Sequence, residues 1–438
     1  MRAFSFPSLA HNHSMVKNIA SILIFCSSFM AMALNVPNEH FVKAKDDKAM
    51  KQFAQKQHLF ADFYWVRAPK EKILDLQKQG LLEYFSANTK AEKVALMQDR
   101  VPLDESVRRH GAAGTDPLLN RQYSHNTPQS GGMNIKEYWK RFANFPRSEV
   151  IVAVVDTGVD YNHEDLSEVM WINDDEIAAN GIDDDNNGYV DDVYGINTLD
   201  RDASGKATSE VMDTHSHGTH VSGIIAAKRN NGKGVAGIAD KARIMALKTV
   251  PGSGDETDRD VAEAFLYAAR NGAKIINCSF GKRVNEGGLL VKETIDYIGQ
   301  EFGVLVVAAA GNDNTDIDRN LRYPASFDSE TLFVIASTTS RGERSYFSNY
   351  GELSVDMAAP GSSVLSTTPG NRYESFSGTS MASPNAAGVA AELLSVDPTL
   401  GPLDLKQKVM NSAYLKDEFD FWFVVRGWID LFEAFDRQ

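Results

Sequence analysis

Val150-Ile151-Val152-Ala153-Val154-Val155-Asp156-Thr157-Gly158 is the stretch on which the fold turns. Its first six residues are all apolar and five of them are β-branched. Such an unbroken run reads as a strand buried on both faces, the habit of parallel sheets, and not as the alternation of a half-solvated strand. The strand ends on Asp156, and the carboxyl ends of parallel strands are where α/β sheets carry their chemistry. Ile244–Val250, Lys274–Cys278, Val304–Ala309 and Leu332–Ala336 repeat the pattern. Between them Gly218–Lys228, Asp258–Asn271 and Gly288–Phe302 show helical spacing. This alternation predicts an α/β fold, a doubly wound parallel β-sheet with helices on both faces. No internal repeat interrupts it.

Three further motifs sit at element boundaries. His215-Ser216-His217-Gly218-Thr219-His220 opens the first of these helices, Ala308-Ala309-Ala310-Gly311-Asn312 closes a strand, and Gly378-Thr379-Ser380-Met381-Ala382-Ser383-Pro384 leads into an alanine-rich helix. Singly, each has a plain structural reading: an acid opening a turn at Asp156, a helix cap at Ser380. Three histidines invite a zinc site, but neither Glu nor Cys accompanies them at metal-ligand spacing. Taken together the residues suit acyl transfer. A serine hydroxyl needs an adjacent base, a base needs an orienting carboxylate, and a helix N-terminus with a side-chain amide suits a developing oxyanion.

In the chain order Asp, His, Ser, with Asp-Thr-Gly, His-Gly-Thr-His and Gly-Thr-Ser-Met-Ala-Ser-Pro, the sequence resembles the subtilisin-like serine protease family over roughly residues 120–435. The resemblance implies a serine endopeptidase with catalytic Asp156, His217 and Ser380 and Asn312 as oxyanion donor. It also implies a substrate cleft walled by Ser279, Phe280 and Gly281 on one side and by Ala309, Ala310 and Gly311 on the other. Protein or peptide substrates would bind there by strand addition. Arg322 falls near the family's pocket floor, where it would favour acidic side chains; the alternative is a surface arginine in a variable loop. Other readings are a catalytically dead relative acting as a binding protein and a zinc hydrolase.

Residues 172–194 hold eight acids and no Lys or Arg. Asp183-x-Asp185-x-Asn187-Gly188-x-Val190-Asp191 places oxygen ligands at alternate positions before a turn glycine, as calcium loops do. Tyr194 stands where an EF-hand needs its bidentate Glu, so the expectation is a structural Ca2+ of another kind, on Asp183, Asp185, Asn187 and Asp191. A second site, by the resemblance, would use Asp165 with Asn231.

The flanks complete the reading. Residues 1–33 have the basic, apolar and small-residue zones of an export signal, with Ala31-Met32-Ala33 as the cleavage pattern, so the protein is expected to be secreted. Residues 34–112 carry 14 Lys+Arg against 11 Asp+Glu, whereas the body from 113 to 438 carries 29 against 48. Asp46–Leu59 and Glu71–Gln79 read as helices, Phe60–Val66 and Leu81–Phe85 as strands, a small α+β unit. By position and pattern this unit resembles the family's propeptides, which implies an autoprocessed zymogen whose own propeptide is a partner, with cleavage between about Met97 and Gln122. The whole chain of 438 residues has net charge −14, which excludes a nucleic-acid footprint, and its two cysteines, one in the leader, exclude a disulfide scaffold. A monomer with no membrane attachment after signal cleavage is expected.

Overall fold

The computed structural model describes residues 34–45, 47–90, 99–103, 114–253, 255–285 and 288–436; the export signal expected over residues 1–33 lies outside them. The N-terminal unit is an antiparallel sheet of β1 (Leu34–Ala44), β2 (Gln55–Phe60), β3 (Phe63–Arg67) and β4 (Leu82–Lys90) in the order β2-β3-β1-β4. The short helix α1 (Asp47–Met50) and α2 (Lys70–Lys78) complete it. Ile73 and Leu76 of α2 bury against Val42, Val66 and Leu82. The predicted helix over Asp46–Leu59 is thus wrong beyond Met50. From Gln55 the chain is an edge strand paired with β3, and that long-range pairing overrides the local periodicity.

β5 (Asp99–Pro102) does not belong to this unit. It pairs antiparallel with a hairpin of the body formed by β14 (Val364–Thr368) and β15 (Arg372–Ser377).

The body is built on β6 (Val150–Asp156), β7 (Asn197–Arg201), β8 (Ala207–Thr208), β9 (Ala242–Lys248), β10 (Ile275–Cys278), β11 (Leu305–Ala309), β12 (Leu332–Thr338) and β13 (Met357–Pro360). β16 (Tyr414–Leu415) and β17 (Gly427–Trp428) extend one edge, giving the order β16-β17-β13-β12-β11-β10-β6-β9-β7-β8. Every pairing from β17 to β7 is parallel, and only the outermost strands run antiparallel. β6 lies between β9 and β10, where the strand order reverses; open α/β sheets form their crevice at such a point. The helices are α3 (Ile135–Arg141), α4 (His217–Ala226), α5 (Asp258–Arg270), α6 (Leu290–Phe302), α7 (Thr379–Val396), α8 (Pro402–Asn411) and α9 (Leu431–Asp436). α4 and α7 share one apolar core with alternate residues of β6, Val152 and Val154, while α5 and α6 share the other with Ala153 and Val155. The doubly wound α/β sheet expected from the apolar runs is the observed one.

Candidate active site

Asp156 ends β6 with no exposed surface, and its Oδ1 stands 2.7 Å from His217 Nδ1. The same oxygen accepts the Thr157 backbone N–H at 2.7 Å, which fixes the carboxylate's orientation. A carboxylate facing Nδ1 keeps the proton on that nitrogen and leaves Nε2 as the acceptor. His217 Nε2 is buried without a hydrogen-bond partner among the described residues.

His217 reaches Asp156 because α4 starts almost on top of the strand end. A Cβ on Gly218 would come 2.0 Å from the Gly158 carbonyl, so only glycine permits this approach. Asp213 ties the junction together. It accepts the Thr157 hydroxyl at 3.0 Å, the His215 and Ser216 N–H groups at 2.8 and 3.0 Å, and the Thr219 N–H and hydroxyl at 3.0 and 2.6 Å. A carboxylate there satisfies the orphan donors of the helix start and complements its dipole. The motif reading missed Asp213; the available signal was an acid four residues before a histidine that opens a helix.

His220 serves a different role from His217. Its Nε2 meets the Glu374 carbonyl at 3.0 Å, its ring stacks on Phe376 at 4.1 Å, and burial pushes its pKa down to about 3. The two histidines therefore face separate partners, Asp156 for His217 and the Glu374 carbonyl for His220.

Ser380 is the second residue of α7 and 2% exposed. Pro384 has no N–H to return to the Ser380 carbonyl four residues earlier, and the Ser279 hydroxyl donates to that carbonyl instead, at 2.8 Å. Reciprocally, the Ser380 hydroxyl donates to the Ser279 carbonyl at 2.9 Å. Ser279 is thus a clamp between the end of β10 and α7 as well as a wall residue, which Ser380-x-x-x-Pro384 signals in retrospect. Asn312 follows β11. Its Oδ1 accepts the Thr379 N–H at 2.8 Å and hydroxyl at 3.0 Å, and these two donors turn Nδ2 to the opposite side. The structure therefore brings Asp156, His217, Ser380 and Asn312 to the carboxyl ends of neighbouring strands.

Beside Ser380, the predicted wall residues Ser279, Phe280, Gly281, Ala309, Ala310 and Gly311 line one small pocket together with Asn312, Arg322, Tyr323 and Ala325. Arg322 is only 9% exposed, so the surface-loop reading fails. Yet its Nε bonds Asp313 Oδ2 at 2.8 Å, and its Nη1 donates to the Asn320 and Leu321 carbonyls at 3.0 and 2.9 Å. Burial disfavours the Asp313 charge, but hydrogen bonds from Arg322 and Arg283 outweigh it and hold the carboxyl below its usual range. A guanidinium already answered by Asp313 loses most of its pull on an acidic substrate side chain.

The acidic loop gathers carboxylate oxygens of Glu176, Asp183 and Asp185 within 4.8 Å of one another. Asp183 Oδ1 is buried there with no hydrogen-bond partner among the described residues. Asp185 Oδ2 accepts the Asn173 and Asn187 amides at 3.0 and 2.9 Å, and Asn187 Oδ1 accepts the Tyr189 N–H at 2.8 Å. Glu176 was not among the expected ligands. Asp191 Oδ1 accepts the Asn180 N–H at 2.9 Å and its Oδ2 the Gly181 N–H at 3.0 Å. Asp165 lies outside the cluster. Its Oδ1 accepts the Asn231 amide at 2.8 Å and its Oδ2 the Val235 N–H and Tyr373 hydroxyl, both at 3.0 Å. Burial lifts its pKa to about 6. Both oxygens of Asp165 thus serve protein donors, and the Asn231 amide donates to it.

Comparison with known proteins points to one family. The model of the subtilase family matches residues 147–425. A thermophilic serine proteinase of Bacillus sp. (strain AK1) is 39% identical over 244 residues, 56% of this chain and 52% of the relative. The halolysin-like extracellular serine protease Nep of Natrialba magadii is 36% identical over 298 residues, 68% of this chain and 48% of the relative. The chain spans about half the length of both. Fervidolysin of Fervidobacterium pennivorans, a keratinolytic enzyme related to subtilisin, superposes with a TM-score of 0.68 over 91% of this chain and 61% of its own. At 23% identity that likeness concerns the fold.

Proposed function

This chain belongs to the subtilase family, the subtilisin-like serine proteases, and from that premise we propose that it is a serine endopeptidase acting through Asp156, His217 and Ser380. The observation that carries the reading is the buried 2.7 Å contact of His217 Nδ1 with Asp156, with Nε2 left unpartnered among the described residues. In the reaction the Ser380 hydroxyl leaves the Ser279 carbonyl by rotation about one side-chain bond and gives its proton to His217 Nε2 as its oxygen attacks the scissile carbonyl. Asp156 stabilises the imidazolium without taking the proton. The negative charge on the former carbonyl oxygen meets Asn312 Nδ2, whose direction the Thr379 donors set, and the N-terminus of α7. His217 then protonates the leaving amine; water, activated by the same base, releases the acyl group from Ser380.

Substrate would lie along the Ser279–Gly281 and Ala309–Gly311 walls as an added strand. Calcium belongs to the same reading. The donors at Glu176, Asp183 and Asp185 are all oxygen, no Lys or Arg stands among residues 172–194, and Asp183 Oδ1, without a partner among the described residues, fits a hard cation. When bound, the ion supplies charge compensation for the loop and takes no part in the hydrolysis. The export-signal pattern of residues 1–33 supports secretion, in line with the extracellular relative. The β1–β4 unit we read as the propeptide of a zymogen. Fluorophosphonate labelling tests the hydrolase: the processed wild-type protein should be labelled on Ser380, and Ser380→Ala should neither label nor hydrolyse peptides. A wild-type protein that resists labelling, or an equally active Ser380→Ala, overturns the reading.

A further inference from the structure

β5 reaches the hairpin that feeds the nucleophile. Its register sets Asp99 opposite Ser377, Arg100 opposite Phe376, Val101 opposite Ser375 and Pro102 opposite Glu374, and the Leu103 N–H continues to the Tyr373 carbonyl at 3.3 Å. Ser377 precedes Ser380 by three residues, so the N-terminal end of β5 lies at the nucleophile and the strand runs away from it. That polarity is the one a substrate's leaving-amine half must have, since its residues follow the scissile bond.

On this edge one side chain is read strongly. Arg100 forks onto Glu374, Nε to Oε2 at 2.5 Å and Nη2 to Oε1 at 3.0 Å, with its guanidinium 5.3 Å from the Phe376 ring centre. Glu374 is 4% exposed. The nearby Asp213 adds to the negative field at the guanidinium. A carboxylate so enclosed is costly without a cation, and a fork of two charge-assisted bonds discriminates sharply between charges.

We propose that β15 is a recognition edge for the leaving-amine half of the substrate, and that Glu374 selects a basic side chain at the position Arg100 takes here. β5 would be the first occupant of that edge, and substrates follow once it is displaced. The inference rests on the proposed endopeptidase activity and adds to it a preference on the far side of the scissile bond from the Arg322 pocket.

The test uses the self-processed full-length product and internally quenched peptides with a constant acyl half, each varying one of the four residues after the scissile bond between Arg, Lys, Leu and Glu. At one of these positions kcat/KM for Arg or Lys should exceed that for Glu by about tenfold or more. Glu374→Gln should flatten the ratio, and Glu374→Lys should reverse it. Each ratio is taken within one enzyme, so a general loss of activity cancels. Should Glu374→Lys not fold, the wild-type and Glu374→Gln profiles decide. Equal rates for Arg and Glu at all four positions, or a preference untouched by Glu374→Gln, overturn the inference. Absence of any cleavage together with absence of Ser380 labelling instead overturns the endopeptidase reading.

Discussion

The orientation of one amide sets what Asn312 can do. Thr379 supplies two donors to its Oδ1, at 2.8 and 3.0 Å, so the amide is not free to flip and its Nδ2 has one direction to point. A donor held in place before charge develops costs no reorganisation when it does. Asn312→Ala should therefore lower kcat by about 10²–10³, as loss of the corresponding donor does in subtilisin itself, with little change in KM. That substitution also strips Thr379 of its acceptor, which confounds structure with catalysis. Asn312→Asp keeps the acceptor for Thr379 and turns the donor into a second acceptor. Steady-state kinetics on both variants, with melting temperatures alongside, should find Asn312→Asp near wild type in stability and at least as inactive as Asn312→Ala. A Asn312→Asp enzyme of normal kcat would remove Asn312 from the oxyanion site. The amino-acid sequence makes such residues legible because each motif carries its chemistry locally. Their supports were hidden because the partners are remote: Thr157 and Asp213 are 56 residues apart, Ser279 and Ser380 101, Arg100 and Glu374 274.

Between elements, legibility followed burial. The parallel strands announce themselves by unbroken apolar runs, since a strand covered on both faces has no polar side to show. Gln55–Phe60, an edge strand with mixed exposure, carried no such signature, and all of it but Phe60 read as helix. The close approach of α4 to β6 is equally a matter of elements, fixed by Gly218, whose added Cβ would meet the Gly158 carbonyl at 2.0 Å. Backbone cannot yield there as a flexible side chain would. Gly218→Ala should cost about 1–3 kcal/mol and pull His217 off Asp156. Thermal unfolding in a Ser380→Ala background, free of self-digestion, should show the loss, and activity in the wild-type background should fall with it; an unchanged melting temperature and kcat would contradict the close contact. For the acidic loop the prediction is conditional stability. Chelation should lower the melting temperature by several degrees, since an ion bound only by the folded state stabilises it by mass action. Asp183→Asn should already be lowered and respond less to chelator. An equal response in wild type and variant would place any calcium elsewhere.

For the whole molecule the question is why a +3 segment should sit on a −19 body. The structure answers differently from the charge count. The β1–β4 unit lays Phe41, Leu59, Phe60, Phe63 and Trp65 into the same apolar cluster as Val261, Phe265 and Leu266 of α5 and Ile295 of α6. Phe60 meets Tyr297 at 5.2 Å between ring centres, and Arg259 stands 4.2 Å from the Trp65 ring while donating to Gln57 Oε1 at 3.0 Å. Arg270 donates to the Leu59 carbonyl at 3.1 Å. The positive groups at this contact thus come from the acidic body, and the association is an aromatic and apolar one that salt should weaken little. A sheet of many non-local parallel pairings folds slowly, so on the proposed propeptide reading the unit would offer α5 and α6 a surface on which to assemble. Trp65 is the natural anchor, large, central and capped by a cation. In the wild-type chain, self-cleavage should leave the unit bound and activity should rise only after a lag as it is lost. Trp65→Ala should shorten that lag by about tenfold and reduce the yield of folded enzyme, while Ser380→Ala should retain the unit covalently. Mass spectrometry of the purified proteins, with activity followed over time at low and high salt, reads all three. If both wild type and Ser380→Ala keep the unit, or if Trp65→Ala leaves lag and yield unchanged, the unit is a permanent domain and not a detachable template.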